Sequence, residues 1–95
     1  MSNGRHACIE AYLAEHFPGS NIERKRDFDL RAQSFKVRLS DDDLLLKVSE
    51  EFMRENDEVR IAALFRRWDV ATLLKANSQQ TVLITSDGPQ PIARP

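Results

Sequence analysis

The chain has little cysteine, glycine or uninterrupted apolar sequence, and each shortage excludes a structural feature or a class of site. A single cysteine, Cys8, among 95 residues excludes an internal disulfide, so a hydrophobic core must hold the fold, and a reducing compartment suits it. No apolar run approaches the roughly 20 residues that a membrane-spanning helix needs. The N-terminus also lacks the continuous apolar stretch of a secretory signal. We therefore predict a soluble, cytoplasmic protein.

The residues that usually carry catalysis or bind metals are equally scarce. With three glycines in the chain, no GxGxxG or GxxxxGK[ST] loop is present to cradle a phosphate. His6, Cys8 and His16 have no i, i+4 spacing that would converge on a metal. The acidic run at 41–43 is not followed by the glycine and glutamate that a calcium-binding loop requires at its sixth and twelfth positions. We predict no catalytic residue, no cofactor and no metal site, and hence no enzyme.

The composition is that of one globular domain with an uneven charge distribution. The chain is 41% hydrophobic and 31% charged, and its length suffices for one core. We assign that domain to residues 1–88 and predict a flexible, proline-containing tail at 89–95. The net charge of −1 is the balance of segments whose charges differ in sign. Residues 21–39 carry +3 (six basic, three acidic), 40–58 carry −6 (two basic, eight acidic) and 59–95 carry +3 (five basic, two acidic).

The first forty residues predict a helix followed by strands. Apolar residues at helical spacing predict a helix over 4–17, with Ser2 or Asn3 as its cap and the dipeptide PG at 18–19 as its stop. The segment NIERKRDF (21–28) reads as an edge strand, because regular alternation would place two arginines beside Ile22 on a face that a buried strand could not tolerate.

Residues 34–52, SFKVRLSDDDLLLKVSEEF, can fold in two ways. As a helix, Ser40 would be the cap and the aspartates would lie at the positive end of the helix dipole. As a hairpin with the loop SDDD, all the apolar residues except Leu45 lie on one face in matched pairs. Those pairs are Leu39 with Leu44, Val37 with Leu46, and Phe35 with Val48. We favour the hairpin, and the helix stays the alternative.

The rest of the chain predicts helices and one closing strand. Ser49, Asp57 and Asp69 are suitable helix caps, and the apolar stripe changes phase after Trp68, so two or three short helices should end near residue 77. TVLIT (81–85) reads as a strand. The predicted fold is α+β: an N-terminal helix, a three-stranded antiparallel meander, two or three short helices and a closing C-terminal strand. The predicted core joins the six paired hairpin residues to Ile9, Leu13, Ile61, Leu64, Phe65 and Trp68.

Two functions are compatible with these residues. The first is a non-catalytic protein-interaction module whose partner is another protein or a second copy of the chain, with Arg66, Arg67 and Trp68 in the interface, because tryptophan and arginine dominate binding hot spots. The alternative is a nucleic-acid-binding protein that uses the basic face of the meander, where cations could follow a phosphate backbone. The residues assigned to that face and its rim are Arg24, Lys25, Arg26, Lys36, Arg38 and Lys47.

Overall fold

Nine elements of secondary structure follow one another over residues 4–94, the part of the chain that this computed structural model describes. They are α1 (Gly4–His16), β1 (Asn21–Asp27), β2 (Ala32–Arg38), β3 (Asp43–Ser49), α2 (Glu50–Glu55), α3 (Glu58–Trp68), α4 (Val70–Ala76), β4 (Thr81–Thr85) and β5 (Gly88–Ile92). The strands form one sheet in the order β1-β2-β3-β4-β5, in which β3 and β4 are parallel. The α+β class is confirmed, but the sheet is larger than the predicted meander with a single closing strand.

The N-terminal helix is present where its apolar spacing predicted it. α1 buries Ile9, Tyr12 and Leu13 against the rest of the domain. The proposed caps at positions 2 and 3 lie outside the described residues. After α1 the chain turns at Gly19, whose φ of 80° is left-handed backbone that glycine adopts without strain. This turn leads into β1, which is an edge strand as predicted.

A hairpin, and not a helix, occupies the ambiguous segment after residue 34. Its register differs by two residues from the predicted one, because Val37 is opposite Leu44 and Phe35 is opposite Leu46. A shift of two keeps every side chain on its predicted face. Leu39, however, lies in the turn, where its backbone nitrogen donates to the Asp42 carbonyl at 2.8 Å, and it is 37% exposed. The predicted pair of Leu39 with Leu44 is therefore wrong.

The observed register also removes an unfavourable contact from the hairpin. The predicted register set Lys36 directly opposite Lys47, whereas in the structure Lys36 is opposite Leu45. Arg38 and Asp43, which carry opposite charges, form the pair next to the turn. Cross-strand pairs of opposite charge stabilise a sheet and like charges destabilise it, so the observed register is the more favourable one.

The C-terminal end contributes two strands, where the sequence predicted one strand and a tail from residue 89. β4 lies beside β3, and β5 returns antiparallel to β4 after a turn at Ser86 and Asp87. Gly88 follows this turn with a φ of 100°. β5 thus includes the first residues of the predicted tail, and Pro89 and Pro91 fit an edge strand, in which the missing proline N–H can face solvent.

Arg94 extends the ordered domain beyond β5. Its Nη2 donates hydrogen bonds of 2.5 Å to the carbonyl oxygens of Asp43, at the start of β3, and of Ser78, just before β4. Charge-assisted hydrogen bonds of this kind are stronger than neutral ones. The segment after Gly88 is therefore joined to the sheet by backbone pairing and by a side chain.

α2 and α3 begin at the cap residues that the sequence predicted. Ser49 accepts a hydrogen bond from the Phe52 nitrogen at 3.0 Å, and Asp57 accepts one from the Arg60 nitrogen at 2.9 Å. The predicted break after Trp68 is confirmed, with Asp69 in the left-handed conformation. The Asp69 carboxylate accepts from the Thr72 hydroxyl at 2.7 Å and not from a backbone N–H, so it is not the side-chain cap that we expected.

One face of the sheet, called here the inner face, packs against the helices. Its buried strand residues alternate with residues of the outer face, as β geometry requires. They are Phe35, Val37, Leu44, Leu46, Val48, Val82 and Ile84, which join buried side chains of all four helices in one core. Leu64 and Trp68, predicted as core, are only partly buried. Within residues 4–94 there is no helix long and apolar enough to cross a membrane.

Candidate functional site

The outer face of the sheet changes from charged to apolar across its width. One row of cross-strand neighbours runs from Glu23 on β1 through Lys36, Leu45 and Thr81 to Ile92 on β5. The next row runs in parallel through Lys25, Ser34, Lys47, Leu83 and Gln90. The predicted basic face therefore lies on β1, β2 and β3 and does not extend to β4 or β5.

Lys47 is the least exposed cation of the outer face. It is 6% exposed, and its Nζ lies 2.5 Å from Oδ2 of Asp27 on β1, two strands away. To span that distance its stem must cross β2 beside Ala32, which is fully buried although it is on the outer face. The hydrogen bond from Lys47, together with one from the Leu30 N–H, lowers the pKa of the Asp27 carboxyl. Lys47, which was assigned to the basic face, is therefore part of an ion pair within the sheet.

Most of the other predicted nucleic-acid contacts are also compensated by carboxylates. Arg38 Nε lies 2.7 Å from Glu23, and Arg26 Nε lies 2.7 Å from Glu50. Arg24 is directed to the inner side, 4.0 Å from Glu10 on α1. Of the six cations assigned to this function, Lys25 and Lys36 are the two that form no ion pair within the described part of the chain.

An exposed aromatic ring lies beside these two lysines. Phe28, in the turn after β1, is 73% exposed, and the Arg26 guanidinium lies 4.7 Å from its ring centroid. A shallow groove connects Phe28 to Lys25 and Lys36 along the outer face. Phe28 was predicted to lie in the strand 21–28, whereas in the structure it lies in the turn after β1.

A different surface, on the solvent side of α3, combines apolar exposure with positive charge. We call it the α3 surface, and it consists of Val59, Arg60, Ala63, Leu64, Arg66 and Arg67. Val59 is 79% exposed, Ala63 lies one helical turn further on, and both border a groove of about 430 Å³. Residues three or four apart on a helix are neighbours, so the apolar and basic side chains form one continuous strip.

The positive charge of the α3 surface has no internal partner. Arg60, Arg66 and Arg67 are exposed, and none of them forms an ion pair with another residue between positions 4 and 94. This distinguishes them from most cations of the sheet. Three free guanidinium groups around an exposed valine can bind carboxylates and cover apolar surface at the same time.

Trp68 does not share the α3 surface with the arginines that precede it. Its ring centroid lies 5.9 Å from that of Phe52, and its Cζ2 lies 4.0 Å from where a side chain at Gly88 would begin. The indole is therefore packed between α2 and the turn before β5. Of the three predicted interface residues, the structure brings together Arg66 and Arg67 and directs Trp68 elsewhere.

The histidines and the cysteine are dispersed. Cys8 Sγ donates to the Glu58 carbonyl at 3.4 Å, and burial raises the pKa of its thiol. Burial, followed by the charge of Arg24, lowers the pKa of His6, while His16 lies against the ring of Tyr12 at 4.3 Å. Over residues 4–94 no three histidine, cysteine or acidic side chains are arranged to hold a metal ion.

Val59, Arg60 and Ala63 are site residues that the sequence did not predict. A signal was present, because Val59 falls outside the helical stripe that contains Ile61 and Phe65 and must therefore face away from the core. The signal is weak, because single exposed apolar residues are common.

Comparison with known proteins identifies no relative of this chain. No protein-family model, no curated protein and no solved structure matches the chain.

Proposed function

We propose that the protein is a non-catalytic interaction module that binds an acidic protein surface through the α3 surface. The observation that carries the proposal is the exposure of Val59 among three arginines that have no ion-pair partner in the described chain. Arginine is enriched at binding hot spots, and an apolar contact within a charged rim is the usual anatomy of an interface.

The charge of the α3 surface defines its partner. Its arginines would steer an acidic surface to this side of the molecule, and Val59 and Ala63 would then be covered by one or two apolar side chains. A partner with carboxylates beside an exposed apolar residue fits both requirements. The acidic residues of this chain between positions 40 and 58 lie partly in its own helix caps and ion pairs.

The experiment compares two variants with equal changes in charge. The first, Arg60→Glu with Arg67→Glu, reverses the α3 surface, and the second, Lys25→Glu with Lys36→Glu, reverses the free cations of the outer face. Proteins captured from the native cell extract by the unmodified chain should be lost with the first variant and retained with the second. The leading captured protein, once purified, should bind the first variant at least about tenfold more weakly, which corresponds to about 1.4 kcal/mol. Equal binding by both variants would contradict the proposal.

A second candidate function, nucleic-acid binding, has one observation in its favour. Phe28 is exposed beside Lys25 and Lys36, and an aromatic ring with nearby lysines can stack on a base and contact a phosphate. We rank it second because the other four predicted contacts are already paired with carboxylates. Binding to single-stranded RNA or DNA that weakens steeply with salt, and that Phe28→Ala abolishes, would reverse this ranking.

A further inference from the structure

The two edges of the sheet differ in their capacity to accept another strand. β5 forms one edge, and Pro89 and Pro91 occupy alternate positions of it. Neither proline has a backbone N–H, so this edge offers no regular set of donors to a further strand. Proline on an edge strand is a common device against pairing between sheets.

β1, the other edge, has one unpaired side, which charged side chains such as Lys25 protect in place of proline. Its seven residues pair with β2 on one side, and in the part of the chain that the structure describes no strand pairs with its other side. Five of the seven are exposed, and none is proline. Half of the backbone N–H and C=O groups of an edge strand point away from the sheet, and they can bind another strand.

We propose that β1 pairs antiparallel with β1 of a second copy of this chain, with the two Arg24 residues opposite each other at a two-fold axis. Two five-stranded sheets would thereby join into one continuous sheet of ten strands. This inference does not depend on the α3 surface, which lies on a helix and not on the edge strand.

The charges of β1 select this register. A two-fold axis perpendicular to the sheet keeps outer-face residues opposite outer-face residues. When the axis passes through Arg24, Glu23 is opposite Lys25 of the partner subunit, and the same pair occurs twice. An axis through Glu23 or through Lys25 would pair two like charges on the outer face, which destabilises a cross-strand pair. The like pair at Arg24 differs because Glu10 lies beside each guanidinium.

The other ion pairs near this edge fit the arrangement if Glu23 is shared, because its carboxylate already lies 2.7 Å from Arg38 of its own chain. The two Arg24 side chains lie on the inner side, and each is 4.0 Å from Glu10 of its own α1, which offsets their mutual repulsion. Because β5 is blocked, each chain has one usable edge, so pairing closes at two copies. A symmetric interface of this kind makes a dimer and not a fibre.

Cysteine cross-linking tests the register directly. In a Cys8→Ser background, Arg24→Cys places two thiols opposite each other, where Cα atoms about 4.5–5.5 Å apart permit a disulfide. Glu23→Cys is the matched control, because its nearest equivalent in the partner is a diagonal neighbour about 7–8 Å away. We expect mild oxidation to cross-link the first variant and not the second. A mixture of Glu23→Cys and Lys25→Cys chains should give the mixed dimer, which keeps the test valid if the substitution at Arg24 disturbs folding.

Sedimentation equilibrium tests the dimer without cross-linking. Lys25→Glu sets two carboxylates opposite each other in both copies of the pair, and should weaken dimerisation by at least about tenfold. Glu23→Lys added to Lys25→Glu restores opposite charges and should recover most of the loss. Arg60→Glu, an equal change in charge far from this edge, should leave the dimer unchanged. A protein that remains monomeric at millimolar concentration, or cross-links equally at positions 23 and 24, would overturn the proposal.

Discussion

The side-chain oxygen of Tyr12 lies 3.1 Å from the backbone nitrogen of Ala71, although 59 residues separate them in the chain. The same hydroxyl donates to the Phe65 carbonyl at 3.4 Å. Ala71 is the second residue of α4, so its N–H has no acceptor within its own helix. One buried tyrosine on α1 thus joins the end of α3 to the start of α4, and burial raises the pKa of its phenol.

Removal of this hydroxyl tests its contribution. Tyr12→Phe keeps the ring, which packs edge-on against Phe65 at 5.3 Å, but leaves the Ala71 N–H buried without an acceptor. We expect the free energy of unfolding, measured by urea denaturation, to fall by about 1–3 kcal/mol. An unchanged denaturation midpoint would show that the N–H finds another partner.

Two leucines distinguish the observed hairpin register from the one that the sequence predicted. Leu44 is buried and Leu39 lies in the turn, whereas the predicted register made them partners in the core. Leu44→Ala should lower the free energy of unfolding by about 2–5 kcal/mol. Leu39→Ala should change it by less than about 0.5 kcal/mol, as surface substitutions do. Equal losses from the two variants in thermal or urea denaturation would support the predicted register instead.

The ion pair between Lys47 and Asp27 predicts a loss of stability in acid. The pKa of Asp27 is lowered in the folded protein, below the roughly 3.9 of an unfolded aspartate. The stabilisation from this carboxylate is therefore complete above the unfolded pKa and is lost as the pH falls through the folded pKa. Between about pH 5 and pH 2, urea midpoints should fall more for the native protein than for Asp27→Asn. Asp41→Asn, in the exposed turn, should keep the native profile.

Arg94 offers a test of whether the C-terminal segment belongs to the domain. Arg94→Ala removes two charge-assisted hydrogen bonds to backbone carbonyls, and we expect it to cost about 1–3 kcal/mol in thermal or urea unfolding. Arg67→Ala, which removes an exposed arginine, should stay within about 0.5 kcal/mol of the native protein. A flexible tail would instead make the two variants indistinguishable.

Local patterns in the sequence predicted the elements better than their pairing. Alternation decided between hairpin and helix for residues 34–52, and cap residues located the starts of α2 and α3. The register was missed because a shift of two residues leaves the alternation unchanged, and turn closure and cross-strand charges decide between the two registers. β5 was missed because proline is read as a strand breaker unless the strand is known to lie at an edge.

Side-chain contacts between distant segments could not be predicted from the sequence. Lys47 was assigned to the basic face, since nothing in its neighbourhood along the chain shows that Asp27 lies within reach across β2. The basic face therefore looked more highly charged than it is. On α3 the acidic residues one turn from the arginines have other partners, since Asp57 caps the helix and Asp69 accepts from the Thr72 hydroxyl. The local sequence does not show that these arginines form no ion pair within residues 4–94.

The parallel pairing of β3 with β4 has a consequence for the order in which the domain can assemble. β1, β2 and β3 are joined by short turns and can pair as soon as they are synthesised, but the second neighbour of β3 arrives only after α2, α3 and α4. Contacts so distant in sequence form late. Until they form, the apolar strand β3 has an unpaired edge, and such edges promote aggregation. We therefore expect the three helices between β3 and β4 to govern how long a nascent chain is vulnerable to aggregation, and a chain arrested before β4 to need a chaperone.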